Sequence, residues 1–233
     1  MKNNILEYNK LKRLKLMNEI IKCDGDYRLF CIDVDEVIFT IDSYVQGELE
    51  KRDHRATKKY REESARETSE DMRLSVSKSF DILDAILEET EYVDYDEDTD
   101  KVVKRNYKKL DYERIYQDKH LIKSSYLYLK QILQNRRPND FFIFLSHRNP
   151  EREGIVKIRR LYELFPEIDA VETLPFHIEI GSKIVKSKAN YIKDMYALDS
   201  LKNCILIDDT KSNGKDFRKY GGMDIRFLPN GFT

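Results

Sequence analysis

The chain is short of cysteine, glycine and proline, carries almost no net charge and has no long apolar run. Each shortage narrows what it can be. The three cysteines, Cys23, Cys31 and Cys204, are odd in number, widely spaced and free of any C-x-x-C arrangement. They are expected to be reduced packing residues of a cytoplasmic protein rather than a disulfide framework, a zinc site or a redox pair. With 8 glycines and 5 prolines in 233 residues, no Gly/Ser-rich or Pro-rich linker divides the chain, and no internal repeat is visible. Lys+Arg 42 against Asp+Glu 43 nearly cancel, so global charge points to neither nucleic acid nor membrane as a partner. No apolar stretch approaches the ~18 residues that a membrane span needs. The opening MKNNILEYNKLKRLKLMNEI is interrupted by charge throughout, unlike a signal peptide. Its Ile5, Leu6, Leu14, Met17, Ile20 and Ile21 recur near helical spacing, which predicts an amphipathic helix packed on the body of the protein.

Against a background that is 36% charged, three short apolar runs stand out: Leu29 to Ile32, Phe141 to Leu145 and Cys204 to Ile207. Each is of strand length and ends abruptly in a polar residue, as interior strands of a helix-covered parallel sheet do. A segment from Glu151 to Phe165 carries an apolar stripe of Ile155, Ile158, Leu161 and Tyr162 before Pro166. Another, from Lys188 to Leu201, carries Tyr191, Ile192, Met195 and Leu198. Strand and helix therefore alternate, and the predicted class is α/β, a Rossmann-like parallel sheet flanked by helices.

Residues 42–137 have a different texture, charged and helically periodic, and read as an inserted helical cap subdomain between core segments 1–41 and 138–233. Leu74, Val76, Phe80, Leu83, Ile86 and Leu87 suggest one helix, and Ile115, Leu121, Ile122, Leu127, Leu129 and Leu133 one or two more. Glu88 to Asp100 holds eight acidic residues in thirteen. Its DYDEDTD imitates the start of a calcium loop, but Thr99 stands where glycine is needed and Arg105 where the bidentate glutamate belongs, so a solvated acidic loop is expected. The basic tract KRDHRATKKYR, residues 51–61, reads as a solvated helix face before it reads as a nucleotide contact.

The chemistry lies where each apolar run stops. The first ends in Asp33-Val34-Asp35, the second in Ser146-His147-Arg148 and the third in Asp208-Asp209. Alternate residues of an extended chain point to one side, so Asp33 and Asp35 converge on a small volume, where two carboxylates need a cation or a shared proton. In a parallel sheet all three endings fall at the carboxyl edge, where open α/β sheets bind ligands.

This pattern resembles the haloacid dehalogenase-like superfamily of phosphotransferases. Asp33, Val34, Asp35 and Val37 match its D-x-D first motif, Ser146 the Ser or Thr that ends a hydrophobic strand, and Asp208, Asp209 and Asn213 its D-D fourth motif. The matching windows are three and short, in the family's order, with the insertion where that family carries a helical cap. Glu36 departs from the pattern, standing where the family usually has glycine, so the turn leaving the first strand could differ. For the third-motif lysine, Lys183, Lys186 and Lys188 compete, and Lys188 is favoured because Ser187 makes a plausible N-cap for the following helix.

The resemblance implies a hydrolase, a phosphatase working through a phosphoaspartate. Asp33 would be the nucleophile, Asp35 the acid and base, and Ser146 and Lys188 would hold the phosphoryl oxygens. Arg148 would be a further substrate contact, with His147 a weaker candidate. Mg²⁺ would sit on Asp33, the backbone carbonyl of Asp35, and Asp208, with Asp209 or Asn213 assisting. The physics asks for the same parts: a carboxylate about 4 Å from a phosphate dianion meets roughly 8 kcal/mol of repulsion at an effective dielectric near 20, worth about six decades in rate. The expected substrate is a small phosphorylated metabolite, a nucleoside monophosphate first, by likeness to the nucleotidase branch. A nucleic-acid end phosphatase and a non-catalytic nucleotide-binding protein are the alternatives.

Overall fold

In the computed structural model the described residues are 2–41, 44, 47–48, 89–96, 101–108, 111–148, 151–175, 178–180, 183–185, 187–228 and 231–232. They run through α1 (Lys2–Lys22), β1 (Arg28–Ile32), β2 (Glu89–Asp96), β3 (Lys101–Lys108), α2 (Tyr112–Ile115), α3 (Lys123–Gln134), β4 (Asp140–Arg148) and α4 (Glu151–Leu164). Next come β5 (Ala170–Pro175), β6 (Ile178–Ile180), β7 (Lys183–Val185), α5 (Lys188–Met195), β8 (Cys204–Asp208), α6 (Lys211–Lys219), β9 (Met223–Leu228) and β10 (Gly231–Phe232). The chain divides into two compact units, one of residues 1–38 with 122–233 and the other of residues 39–121.

The first unit holds a six-stranded sheet in the order β10-β9-β8-β1-β4-β5. Five strands are parallel and β10 joins one edge antiparallel. The three apolar runs lie side by side at its centre, β1 between β8 and β4. They take these places because each can bury both faces: Leu29, Cys31, Ile143, Leu145, Cys204 and Leu206 join one core with Leu16 and Ile20 of α1, Ile192 of α5 and Phe217 of α6. On the other face Phe30 stacks on Phe142 at 4.5 Å, and Phe144 meets Phe165, which in turn meets Tyr126 of α3. Cys31 and Cys204 are free, buried thiols within this packing. Among the described residues no helix is long and apolar enough to cross a membrane.

Register then places the strand ends. Ile32 pairs with Phe144 on one side and Ile207 on the other, and the Asp33 N–H continues the ladder to the Ile207 carbonyl at 2.8 Å. The residue after each run therefore emerges at one edge. The turn leaving β1 closes with the Ile38 N–H on the Val34 carbonyl at 2.8 Å and holds Glu36 at φ 59°. That left-handed conformation suits glycine and strains a residue with a Cβ.

α1 is a helix as expected, and part of the predicted stripe packs on the body: Ile20 is buried with Leu16 and Met17 lies against the same core, whereas Leu14 and Ile21 are exposed, as are Tyr8 and Leu11. The inward stripe is completed by polar side chains. Buried Asn9 donates to the Val171 carbonyl at 2.7 Å and accepts from the Val171 N–H at 3.1 Å and the Tyr162 hydroxyl at 2.7 Å. Arg13 pairs with the fully buried Glu172 of β5 at 2.7 Å, and Glu172 also accepts from the Tyr191 and Tyr196 hydroxyls at 2.7 and 2.9 Å. Asn9, Arg13, Leu16 and Ile20 share one face at spacings of three and four, so a reading by hydrophobicity alone misses the polar half of that face.

The acidic segment 88–100 is corrected too: most of it forms strand β2, paired antiparallel with β3 from Glu89↔Lys108 to Asp96↔Lys101. The partner strand is lysine-rich, so the register sets acidic residues opposite basic ones at both ends of the hairpin, which favours pairing over a solvated loop. The predicted helix at 74–87 and the basic tract at 51–61 lie outside the described residues. Of the second set, Ile115 is buried in α2 and Leu129 and Leu133 in α3, while Leu127 points to solvent.

Asn9→Ala should lower unfolding stability in urea by about 2–4 kcal/mol, because it strands three buried polar partners, whereas Leu14→Ala and Ile21→Ala should each cost less than about 0.5 kcal/mol. Glu36→Gly should raise it by up to about 1 kcal/mol by relieving the left-handed turn.

Candidate active site

At the carboxyl edge of the first unit, Asp33 leaves β1, Asp208 ends β8 and Lys188 opens α5. Ser187 caps that helix, its hydroxyl accepting from the Asn190 N–H at 3.3 Å, which aims Lys188 inward. The buried Lys188 ammonium lies 2.7 Å from Asp33 Oδ1 and 2.8 Å from Asp208 Oδ2. Asp208 also accepts from the Thr210 N–H at 2.7 Å and from Asn213 Nδ2 at 3.0 and 3.2 Å. Asp33 Oδ1 takes the Val34 N–H at 2.8 Å. Oxygens of Asp33, Asp208 and Asp209 all come within 4.8 Å of one another.

The electrostatics follow from one ammonium serving two buried carboxylates. Burial, which alone would raise the Asp208 pKa, is outweighed by Lys188, the Thr210 N–H and Asn213, so Asp208 is held below the ordinary carboxylate range. Asp33 goes the other way: burial pushes its pKa well up, and the charges of Asp208, Asp209 and Asp35 add to that against the pull of Lys188. Lys188 itself is raised, its burial overcome by the two aspartates. The set is thus short of positive charge, and the deficit falls on Asp33.

A second ammonium stands on the other side of the turn. Lys157, fully buried on α4, lies 2.7 Å from Asp35 Oδ2, 2.9 Å from Ser146 Oγ, 2.6 Å from the His147 carbonyl and 2.8 Å from Glu153 Oε1. Ser146 Oγ is 3.2 Å from both Asp35 Oδ2 and the His147 carbonyl, and its single proton can go to one at a time. His147 is neutral, its pKa driven down to about 4 by burial and then by Lys188 and Lys157.

The structure therefore brings Asp33, Asp208, Asp209, Asn213 and Lys188 together, with Asp35 and Ser146 joined through Lys157. The Asp35 carboxylate is not among the converging oxygens. Arg148 instead points its Nε at the Thr173 carbonyl, 3.4 Å away, over Gly154, where a Cβ would come within 2.5 Å of its Cδ. Of the competing lysines, Lys188 is the one beside Asp33; Lys183 lies in β7, its side chain undescribed, and Lys186 is outside the described residues. Lys157 escaped the sequence reading. Its signal was a charge set inside the α4 stripe, between Ile155 and Ile158, with Glu153 one turn earlier.

No protein-family model and no curated protein matches the chain. Among solved structures, it resembles a HAD-hydrolase, YfnB from Bacillus subtilis, described as bound to magnesium, at 14% identity over 85% of each chain with a TM-score of 0.47. It also resembles SP0104, a haloacid dehalogenase-like family hydrolase from Streptococcus pneumoniae, at 14% identity over 87% of this chain and 85% of that one, TM-score 0.42. Both likenesses are loose and transfer no residue role, so the site stands on its own geometry.

In metal-free buffer at pH 7, Asp33→Asn should be more stable than the parent, because burial and the neighbouring aspartates disfavour the charged Asp33. A raised carboxylate destabilises the fold above its folded-state pKa, and that cost vanishes below the unfolded value near 3.9. The gap between the two proteins should accordingly shrink as pH falls from 7 towards 4 in thermal melts.

Proposed function

We propose that the chain is a hydrolase, a Mg²⁺-dependent phosphomonoesterase that acts through a phosphoaspartate on a small phosphorylated metabolite. The observation that carries this reading is the convergence of Asp33, Asp208 and Asp209 within 4.8 Å around a buried lysine. An all-oxygen set short of positive charge suits a hard divalent cation. Asp33 and Asp208 would hold it, with the Asp35 carbonyl and with Asp209 or Asn213 in support. When bound, Mg²⁺ supplies the positive charge that lets a carboxylate approach a phosphate dianion.

The chain's own residues do the rest. Asp33 attacks phosphorus as the bond to the leaving oxygen breaks, and Asp35 gives that oxygen a proton. Asp35 then takes a proton from water, whose oxygen attacks the phosphorus of phosphoaspartate; phosphate leaves and the Asp33 carboxylate is restored. Lys188 and the Ser146 hydroxyl hold the phosphoryl oxygens. Nucleoside monophosphates are the first substrate class in this reading.

Phosphate release from 4-nitrophenyl phosphate and from a panel of nucleoside monophosphates and sugar phosphates tests it. Activity should require Mg²⁺, stop with a chelator, and fall at least about 1,000-fold in Asp33→Asn, since losing the nucleophile removes the covalent route. A parent no faster than that variant across the panel overturns the reading.

A further inference from the structure

Lys157 has no part in the mechanism above, yet its place is hard to explain as packing. It sits on the buried face of α4, where the neighbouring positions are apolar, and a lone ammonium there would cost several kcal/mol. Four acceptors surround its three protons. Glu153, one helical turn back, and the His147 carbonyl on β4 belong to the scaffold. Asp35 Oδ2 and Ser146 Oγ belong to the reacting side of the site. Glu153 alone would neutralise the charge without any reach towards the sheet edge.

We propose that Lys157 is a positioning residue: it ties the Asp35 carboxylate and the Ser146 hydroxyl to α4, and so fixes the group that delivers the proton to the leaving oxygen. This rests on the phosphatase reading. The two buried ammoniums divide the work. Lys188 serves the nucleophile and the cation ligands, and Lys157 serves the leaving-group side. Without Lys157, Asp35, which is partly open to solvent, can turn to water, and a general acid out of place by about 1 Å loses much of its effect.

The consequence depends on the leaving group. An alkyl alkoxide needs a proton as it departs, whereas 4-nitrophenolate hardly does, and a general acid is worth about 10²–10⁴-fold where it is needed. The ratio kcat/KM reports the steps up to phosphoaspartate formation and leaves out its later hydrolysis. The parent, Lys157→Met and the double variant Lys157→Met with Glu153→Leu should therefore be compared on 4-nitrophenyl phosphate and on an alkyl phosphate. The double variant removes both buried charges, a replacement that folds are known to tolerate, and covers the case in which Lys157→Met fails to fold. Both variants should keep the Mg²⁺-induced rise in melting temperature.

The expected result is a fall in kcat/KM on both esters, through the loosened Ser146, that is larger on the alkyl ester by at least about 20-fold. Equal losses on the two esters, or no loss on either, would overturn the positioning role while leaving the phosphatase reading intact. A parent that hydrolyses neither these esters nor any member of the panel above with Mg²⁺ would sink both.

Discussion

The nucleophile side of the site depends on one buried ammonium shared by two carboxylates. Lys188 reaches Asp33 at 2.7 Å and Asp208 at 2.8 Å, and one positive charge cannot neutralise two negative ones. In a well-solvated place the imbalance would cost little. Here Asp33 and Asp208 are both nearly buried, water cannot make up the difference, and the shortfall is carried by the edge itself. That shortfall at one point is what the proposed cation reading rests on.

The sheet supplies the means. Because β1 is hydrogen-bonded on both sides, to β4 and β8, its register is fixed twice, and a slip of one residue would turn Leu29 and Cys31 out of one core and Phe30 and Ile32 out of the other. The positions of Asp33 and Asp208 are thereby set by apolar packing rather than by their own attraction. The helices refine what the strands set: the Ser187 cap aims Lys188, and the α4 stripe aims Lys157.

Much of this was legible in the sequence. The central strands announced themselves because a strand buried on both faces is written as an unbroken apolar run, and the polar residue ending each run marked the edge. Ser187 and Lys188 were found by capping logic, which is local. What was missed was written in polar residues at buried positions. The inward face of α1 holds Asn9 and Arg13, Lys157 sits in the stripe of α4, and the acidic β2 pairs with a strand rich in basic residues. Each depends on a partner distant in the chain or a turn away, which a periodicity of hydrophobic residues cannot see.

The knot around Glu172 links the first helix to strand β5 and to α5, and Asn9 binds β5 across a separation of 162 residues. During synthesis α1 leaves the ribosome long before β5 exists to receive it. Asn9 and Arg13 must then wait for their β5 partners until some 160 further residues have been made. Contacts of such long range slow folding and lengthen the exposure of apolar surface. The same knot that seats the helix carrying Lys188 thus forms late, once both partners of this long separation have been made.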